Sequence, residues 1–401
     1  MARIFQTGLE LRDDSAAANN FAGYMPDGHA EFAGSNLTTD TTNQRSGSAC
    51  IGTTTTGKLR SFYLGPVSTT YYTRFYFRKG SGNPSSSETI ASFNMIASAV
   101  IIQLRVTTGG ALEVYDPAGP AVRATSAALT ANTWYRIECS FITGALTCTV
   151  RVDGVDLWTN GDISPVGGTP NRMQLSGGST SAFAVYFDDI AVNDTTGAAN
   201  NSWCGDGKAL LFVPTSDASI GNWTGGAAGT TALYDALNNT PPVGVASGSG
   251  TNISQIKNGN ATVPSAYTGN CQTYTAAGIA ASDVINAIVA WANHGEGVST
   301  GTKSGTVGIA NPSATSGTFS FGGDAGGAGA YPTSWSWSSV VAQAPTVTKG
   351  SALQLLVTKT VASTTRTGEC DSLFAYVDYY TPPLSFALPN PHAVLLPLLC
   401  Q

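Results

Sequence analysis

Short runs in which apolar and polar residues alternate, each bounded by Gly, Asn, Asp or Ser, recur from Phe5 to Asp194. Alternation with a period of two sends successive side chains to opposite faces of a strand, so the pattern predicts an antiparallel sandwich or jelly roll. The clearest runs are residues 59–64, 71–77, 99–106, 112–115, 134–141, 147–152 and 183–192. In 71–77 and 147–152 aromatic and β-branched side chains suit a pleated, half-buried surface, and Asp153-Gly154 offers the positive φ of a type I′ turn. A hairpin over residues 150–157 follows. No segment before residue 200 carries a capped 3.6-residue period, so this half is predicted to be almost free of helix.

Residues 195–204 are small and polar, as expected where few contacts cross between domains, and the boundary is placed there: one domain over 1–195, a linker over 196–204, a second β domain over 205–383. In the second half, 208–213, 352–358 and 372–379 read as strands. The stretch 279–293 is open by periodicity. Ile279, Val284, Ala287, Ile288 and Trp291 would share one helical face, whereas Ile285, Ala287, Val289 and Trp291 alternate. The Gly-rich turn after it and the run 306–310 favour a strand pair. Gly-biased 248–250 and 322–329 read as loop tips, and no solenoid or propeller repeat is visible. The expected fold class is all-β, a jelly-roll sandwich followed by a second β-sandwich-like domain. The final segment, 384–401, is apolar but carries three prolines that forbid a regular helix. Exposed, it would be a sticky patch, so it is expected to dock on a neighbouring subunit or on its own domain.

With 401 residues, 42% of them apolar, the chain has material for two packed cores. Only 11% of residues are charged, which leaves a surface of neutral polar groups. The net charge of −6 and the absence of any Lys/Arg cluster remove the footprint that nucleic-acid binding needs. The first eight residues lack the apolar run of a secretory signal, and no apolar stretch is long enough to span a membrane, so a soluble chain made in the cytosol is expected. The seven cysteines are an odd number. Cys139 and Cys148 flank a turn centred on Thr143-Gly144 that would set them directly opposite each other, either as a disulfide or as two small buried hydrophobes. Neither has the C-x-x-C or His companion of a zinc site.

The three histidines, His29, His294 and His392, have no Ser or Cys motif beside them, and no G-x-S-x-G or H-E-x-x-H pattern exists. They read as solvated loop or tail residues. Residues 322–329 lack the Lys-Ser/Thr of a phosphate loop.

Three pieces of the first half occur in a telling order: Phe5-Gln-Thr-Gly-Leu-Glu10, then Trp134-Tyr-Arg-Ile-Glu138 with Val150-Arg-Val-Asp-Gly154, then Tyr186-Phe-Asp-Asp-Ile-Ala-Val192. Together they resemble the concanavalin-A-like lectin/glucanase superfamily, in particular the laminin-G-like jelly rolls of phage structural proteins. The likeness covers about residues 1–195. It implies two curved sheets, neighbouring first and last strands, and a hairpin opened by the Trp-Tyr piece. The second half, through Leu210-Leu-Phe-Val-Pro-Thr215, Trp223-Thr224, Val347-Thr-Lys-Gly-Ser-Ala352 and Leu373-Phe-Ala-Tyr-Val-Asp-Tyr379, resembles a β-rich module that follows such jelly rolls in tailed-phage virion proteins.

The resemblance implies a non-catalytic virion component, a minor tail or capsid decoration protein, with other virion proteins and a second copy of itself as partners. A glycan-binding adhesin of the host surface and a polysaccharide-degrading enzyme are the alternatives. A glucanase of this superfamily needs an E-x-D-x-x-E strand that points two glutamates into one cleft. The seven glutamates here are scattered singly, and in Glu113-Val-Tyr-Asp116 the spacing of three sends the carboxylates to opposite faces. Related jelly rolls hold calcium between their first and last strands, which makes Glu10 with Asp188 or Asp189 the implied ligands. Adjacent strand residues face opposite sides, so one Asp at most is expected to serve, the implied pair being Glu10 with Asp189. The other reading is carboxylates hydrogen-bonded to turn amides. For sugar stacking the candidates are Trp158, Trp335 and Trp337, the last two sharing a strand face as either a packed ladder or a binding strip.

Overall fold

The computed structural model describes residues 3–10, 37–53, 58–64, 70–95, 100–163, 170–177, 183–225, 232–237, 256–258, 265–296, 303–316, 319–321, 334–360 and 368–383. The apolar segment 384–401, His29, His392 and both Gly-biased loops lie outside these residues. The chain is all-β. Its first half carries β1 (Arg3–Thr7), β2 (Thr38–Asp40), β3 (Cys50–Thr53), β4 (Lys58–Tyr63), β5 (Thr70–Lys79), β6 (Glu88–Asn94) and β7 (Val100–Val106). It continues with β8 (Ala111–Asp116), β9 (Ala121–Ala128), β10 (Trp134–Ile142), β11 (Thr147–Val152), β12 (Val155–Asp162), β13 (Arg172–Gly177) and β14 (Val185–Asp194).

An eight-stranded sheet in the order β12-β11-β10-β5-β14-β3-β2, with β1 also on β14, faces a six-stranded sheet in the order β4-β13-β6-β7-β8-β9. The two form a jelly-roll sandwich. Its first and last strands are neighbours, with Phe5 opposite Val192 and Thr7 opposite Ile190. The inward residues of every central strand are apolar, and Phe93 from one sheet meets Phe141 from the other at 4.8 Å between ring centroids. The hairpin expected over 150–157 is present: Val152 pairs with Val155, and Asp153 and Gly154 take φ of 51° and 84°. A side chain at Gly154 would be strained in that conformation and would also meet Arg136 Nη2 at 2.7 Å.

The cysteine register differs from the expectation. Ile142 pairs with Thr147, so the turn has four residues rather than two, and Cys139 lies opposite Val150 while Cys148 lies opposite Phe141. Both thiols are free, buried in the core and diagonal neighbours on its face. Burial pushes the ionisation of each upward, which keeps them as inert hydrophobes.

The second half carries β15 (Lys208–Phe212), β16 (Ser216–Ser219), β17 (Thr224–Gly225), the single turn α1 (Tyr234–Leu237), β18 (Ile256–Asn258), β19 (Ser265–Thr273) and β20 (Val284–Glu296). Then follow β21 (Lys303–Asn311), β22 (Ala314–Thr315), β23 (Phe319–Phe321), β24 (Ser334–Gln343), β25 (Ala352–Lys359) and β26 (Gly368–Tyr380). They form one sheet ordered β17-β18-β26-β20-β24, with β15 on β26, and another ordered β16-β19-β25-β21-β22, with β23 on β21. The ambiguous stretch is therefore strand from Val284, preceded by a buried loop at Ile279. Its partners are β24 and β26, whereas the 306–310 run, expected beside it, lies in the opposite sheet.

The second sandwich has an apolar core of its own and also contributes to the core of the first. Val289, Trp291, Phe374 and Tyr376 belong to the apolar cluster of the first sandwich, and Phe5 packs edge-on to both Phe62 (6.3 Å) and Trp291 (6.2 Å). Backbone comes equally close, since a Cβ on Gly8 would lie 2.0 Å from the Ala209 carbonyl oxygen. Gln6 Nε2 donates to the Tyr376 carbonyl (2.5 Å), Gln343 Nε2 to that of Arg3 (3.1 Å), and Asn200 Nδ2 to that of Asn286 (2.8 Å).

Candidate functional site

The sequence-implied calcium ligands lie on the seam between the sandwiches. One edge of β14 is shared, β3 taking Val185–Phe187 and β1 taking Ile190–Asn193. On its other edge the register with β5 slips between Asp188 and Ala191, and Asp189 has a φ of 51°. This bulge cancels the strict alternation of the strand, so both carboxylates reach residues 45–46, Asp188 their backbone amides and Asp189 their side chains, instead of facing apart. Asp188 Oδ2 accepts from the amides of Arg45 (2.8 Å) and Ser46 (3.2 Å), and its Oδ1 from the amide of Asp189 (2.8 Å). Asp189 accepts from Arg45 Nη1 (2.5 Å), Ser46 Oγ (2.6 Å) and the amide of Ala209 (2.7 Å).

Glu10 reaches the same seam. Its Oε2 accepts from the Leu211 amide at 3.3 Å, and its Oε1 fills the space a side chain on Gly47 would take. Burial, reinforced by the Asp189 charge, pushes the Asp188 carboxyl well above its usual range, against amides that favour its ionised form. The oxygens of Asp188 and Asp189 thus point at N–H and O–H donors, which is the bonding of a structural seam and does not fit a calcium shell. Among the described residues no group of three His, Cys, Asp or Glu is placed to hold a metal ion.

Beside it lies an ion cluster that the sequence reading did not single out. Asp378 accepts from Arg3 Nη1 (2.7 Å) and Arg74 Nη2 (2.8 Å), all three side chains being 0% exposed. Burial works against the Asp378 charge, but Arg74 and Arg3 outweigh it and hold the carboxyl below its usual range. Arg3 also donates to Asn193 (2.6 Å) and Gln6 (2.8 Å), so three strands of two sandwiches meet on one guanidinium. The Arg45 guanidinium stacks 3.3 Å over Tyr76 and pairs with Asp206 (3.0 Å). One signal was available: Arg74 and Asp378 each stand within an apolar run of a strand in a chain with few charges.

A second polar network lies on the outer face of the six-stranded sheet, with Ser92, Asn94 and Gln174 buried and Gln103 and Tyr115 half-buried. Gln174 lies opposite Ser92, Ser92 opposite Gln103, and Gln103 opposite Tyr115, which makes one row across four strands. Asn94 Nδ2 donates to Gln174 Oε1, Ser92 Oγ to the same oxygen (3.3 Å), and Arg105 stacks 3.5 Å over the Tyr115 ring. Glu113 and Asp116 alternate in burial along β8, as their spacing implied, and pair separately with Arg105 (2.8 Å) and Arg123 (2.5 Å). Trp158 packs on the first core, and Trp337 meets Phe374 at 5.5 Å as part of the junction, whereas the Trp335 side chain lies outside the described residues. His294 is buried, not solvated, with Nε2 2.8 Å from Ser338 Oγ, and burial lowers its pKa to about 4.

No known protein family and no curated protein matches this chain. Among solved structures, a cellulose-induced protein aligns over 50% of this chain and 99% of its own, at 14% identity and a TM-score of 0.37. A Trypanosoma rangeli sialidase aligns over 41% of this chain and 29% of its own, at 10% identity and a TM-score of 0.31. A further sialidase aligns over 40% and 16%, at 15% identity and a TM-score of 0.31. The chain thus spans under a third of either sialidase, and at these scores the likenesses carry no argument about chemistry.

Proposed function

We propose that this chain is a non-catalytic structural component of a phage virion, a tail accessory or capsid decoration protein whose two sandwiches act as one rigid body. The observation that carries this reading is the shared core, locked by the buried Arg3–Asp378–Arg74 cluster. A large apolar interface between sandwiches suppresses the hinge motion that is otherwise the default for paired domains. Such a body transmits position from a particle surface to whatever it displays. The virion assignment itself is supported by the ordered motifs of residues 1–195 and 203–383, which resemble phage jelly rolls and the module that follows them. Mass spectrometry of purified particles tests it: the chain is expected at stoichiometric levels with other virion proteins, and its absence from particles overturns the reading.

A host-glycan adhesin is the second reading, and one observation favours it. Gln103 and Tyr115, the two half-buried members of that row, set an amide beside an aromatic side chain, the combination that grips sugar hydroxyls and ring carbons. Binding of the full chain to host polysaccharide is expected to fall in Tyr115→Ala and Gln103→Ala with the melting temperature unchanged. Lack of binding by the unaltered chain removes this reading and leaves the first standing.

A further inference from the structure

Asn293 stands in β20 on the face turned toward the first sandwich, where Val289 and Trp291 precede it at alternate positions and belong to the shared core. Across the ladder its neighbours are Ser372 on β26 and Trp337 on β24. The pairing with β26 slips by one residue between Asn293 and His294, so the ladder is interrupted beside it. Asn293 is 0% exposed, and among the described residues neither its Oδ1 nor its Nδ2 has a hydrogen-bond partner. Exchanging the two atoms repairs nothing, because both lack one. Trp291 is 9% exposed with its ring against Phe5, and its Nε1 has no partner among the described residues either.

Native proteins leave few buried polar groups unbonded, because each surrenders its hydration for nothing. Here two residues spaced by two along one strand face, roughly 7 Å apart, leave a carbonyl acceptor, an amide donor and an indole donor without partners in one neighbourhood. The described side chains around them, Val289, Ser372, Phe374 and Trp337, carry no charge. A ligand there has to be neutral, has to accept from Nδ2–H or Nε1–H, and has to donate to Oδ1. A hydroxyl group meets all three conditions. We propose that Asn293 and Trp291 form an internal site for a neutral hydroxyl-bearing ligand, either ordered water or a sugar hydroxyl, held where the two sandwiches meet.

The test is a crystal structure of the full chain at a resolution that shows ordered water, with and without a soak in glucose, galactose or N-acetylglucosamine. Density within hydrogen-bond distance of Asn293 and Trp291 is expected. A water-sized peak unchanged by the soak assigns water, and ring-shaped density appearing with a sugar assigns the sugar; an empty site overturns the proposal. Asn293→Leu, which keeps the size and removes the polar groups, supplies a second measurement. If the amide holds a ligand, its melting temperature falls by several degrees. A rise means the amide was simply unsatisfied, and the proposal fails.

Discussion

Replacing Asp378 by Asn preserves the shape of the side chain but strips the one carboxylate that faces both Arg3 and Arg74, leaving two guanidinium groups buried without it. Asp378 also accepts from Asn286 Nδ2 at 3.3 Å, so the new amide sets an NH2 group against donors on at least one side. Breaking a buried ion pair from one end costs about 3–5 kcal/mol. With an unfolding entropy of ~2.1 cal/mol/K per residue, the 401-residue chain has about 0.8 kcal/mol/K in all, so the midpoint falls by about 4–6 °C. Calorimetry of the full chain is the assay. Because the sandwiches share a core, both the parent and Asp378→Asn are expected to unfold in a single transition. The triple replacement Arg3→Met, Arg74→Met, Asp378→Leu is expected to recover most of the loss, since apolar groups need no counter-charge. A shift below about 1 °C, or two separate transitions of which only one moves, would refute the reasoning. The carboxyl is held below its ordinary range, so its contribution is complete above the unfolded value of 3.8 and is lost as pH falls through the lower folded value. The gap between parent and variant therefore closes only under strongly acid conditions.

Three further outcomes are expected. His294 stays neutral in the fold to about pH 4, whereas the unfolded residue takes up its proton near 6.5, so stability falls by up to about 3 kcal/mol as pH drops across that window. Burial raises Asp188 and works in the opposite sense, so the His294 contribution is read as the difference in slope between the parent and His294→Gln; equal slopes would contradict it. Gly154→Val places a β-branched residue at a φ of 84° and is expected to cost about 1–2 kcal/mol in urea unfolding, an unchanged midpoint being evidence against the turn described. Asp189→Asn weakens the contact with Arg45 and is expected to cost about 1.5–3 kcal/mol, while calcium chloride leaves the parent midpoint where it was; a calcium-dependent rise would restore an ion to the seam.

Period and turn chemistry made much of the first sandwich legible. Runs such as 71–77 and 134–141 turn Tyr71, Phe75, Phe77, Ile137 and Phe141 into the first core at alternate positions, so the period of two survives in the sequence. Strands β6 and β13 did not stand out, because Ser92, Asn94 and Gln174 are buried on the outer face and blur the contrast. Strand β9 escaped for the opposite reason, as an exposed sheet edge with no apolar stripe to keep. The Cys139–Cys148 register failed on turn length. Two intervening residues more or less shift every pair, and Thr143-Gly144 does not by itself specify a two-residue turn.

What the sequence alone determined was therefore local: strand periodicity, the Asp153-Gly154 turn, and an all-β chain with little charge to spend on its surface. What only the tertiary structure decided was which residues face each other across long separations. Arg3 meets Asp378 375 positions away, and Arg74 meets it across 304, although no periodicity links them. The same holds for Asp188 and Asp189, which a regular strand would have sent apart. A single bulge in the pairing of β14 with β5 brings both to residues 45–46, in the polar seam where the two sandwiches meet.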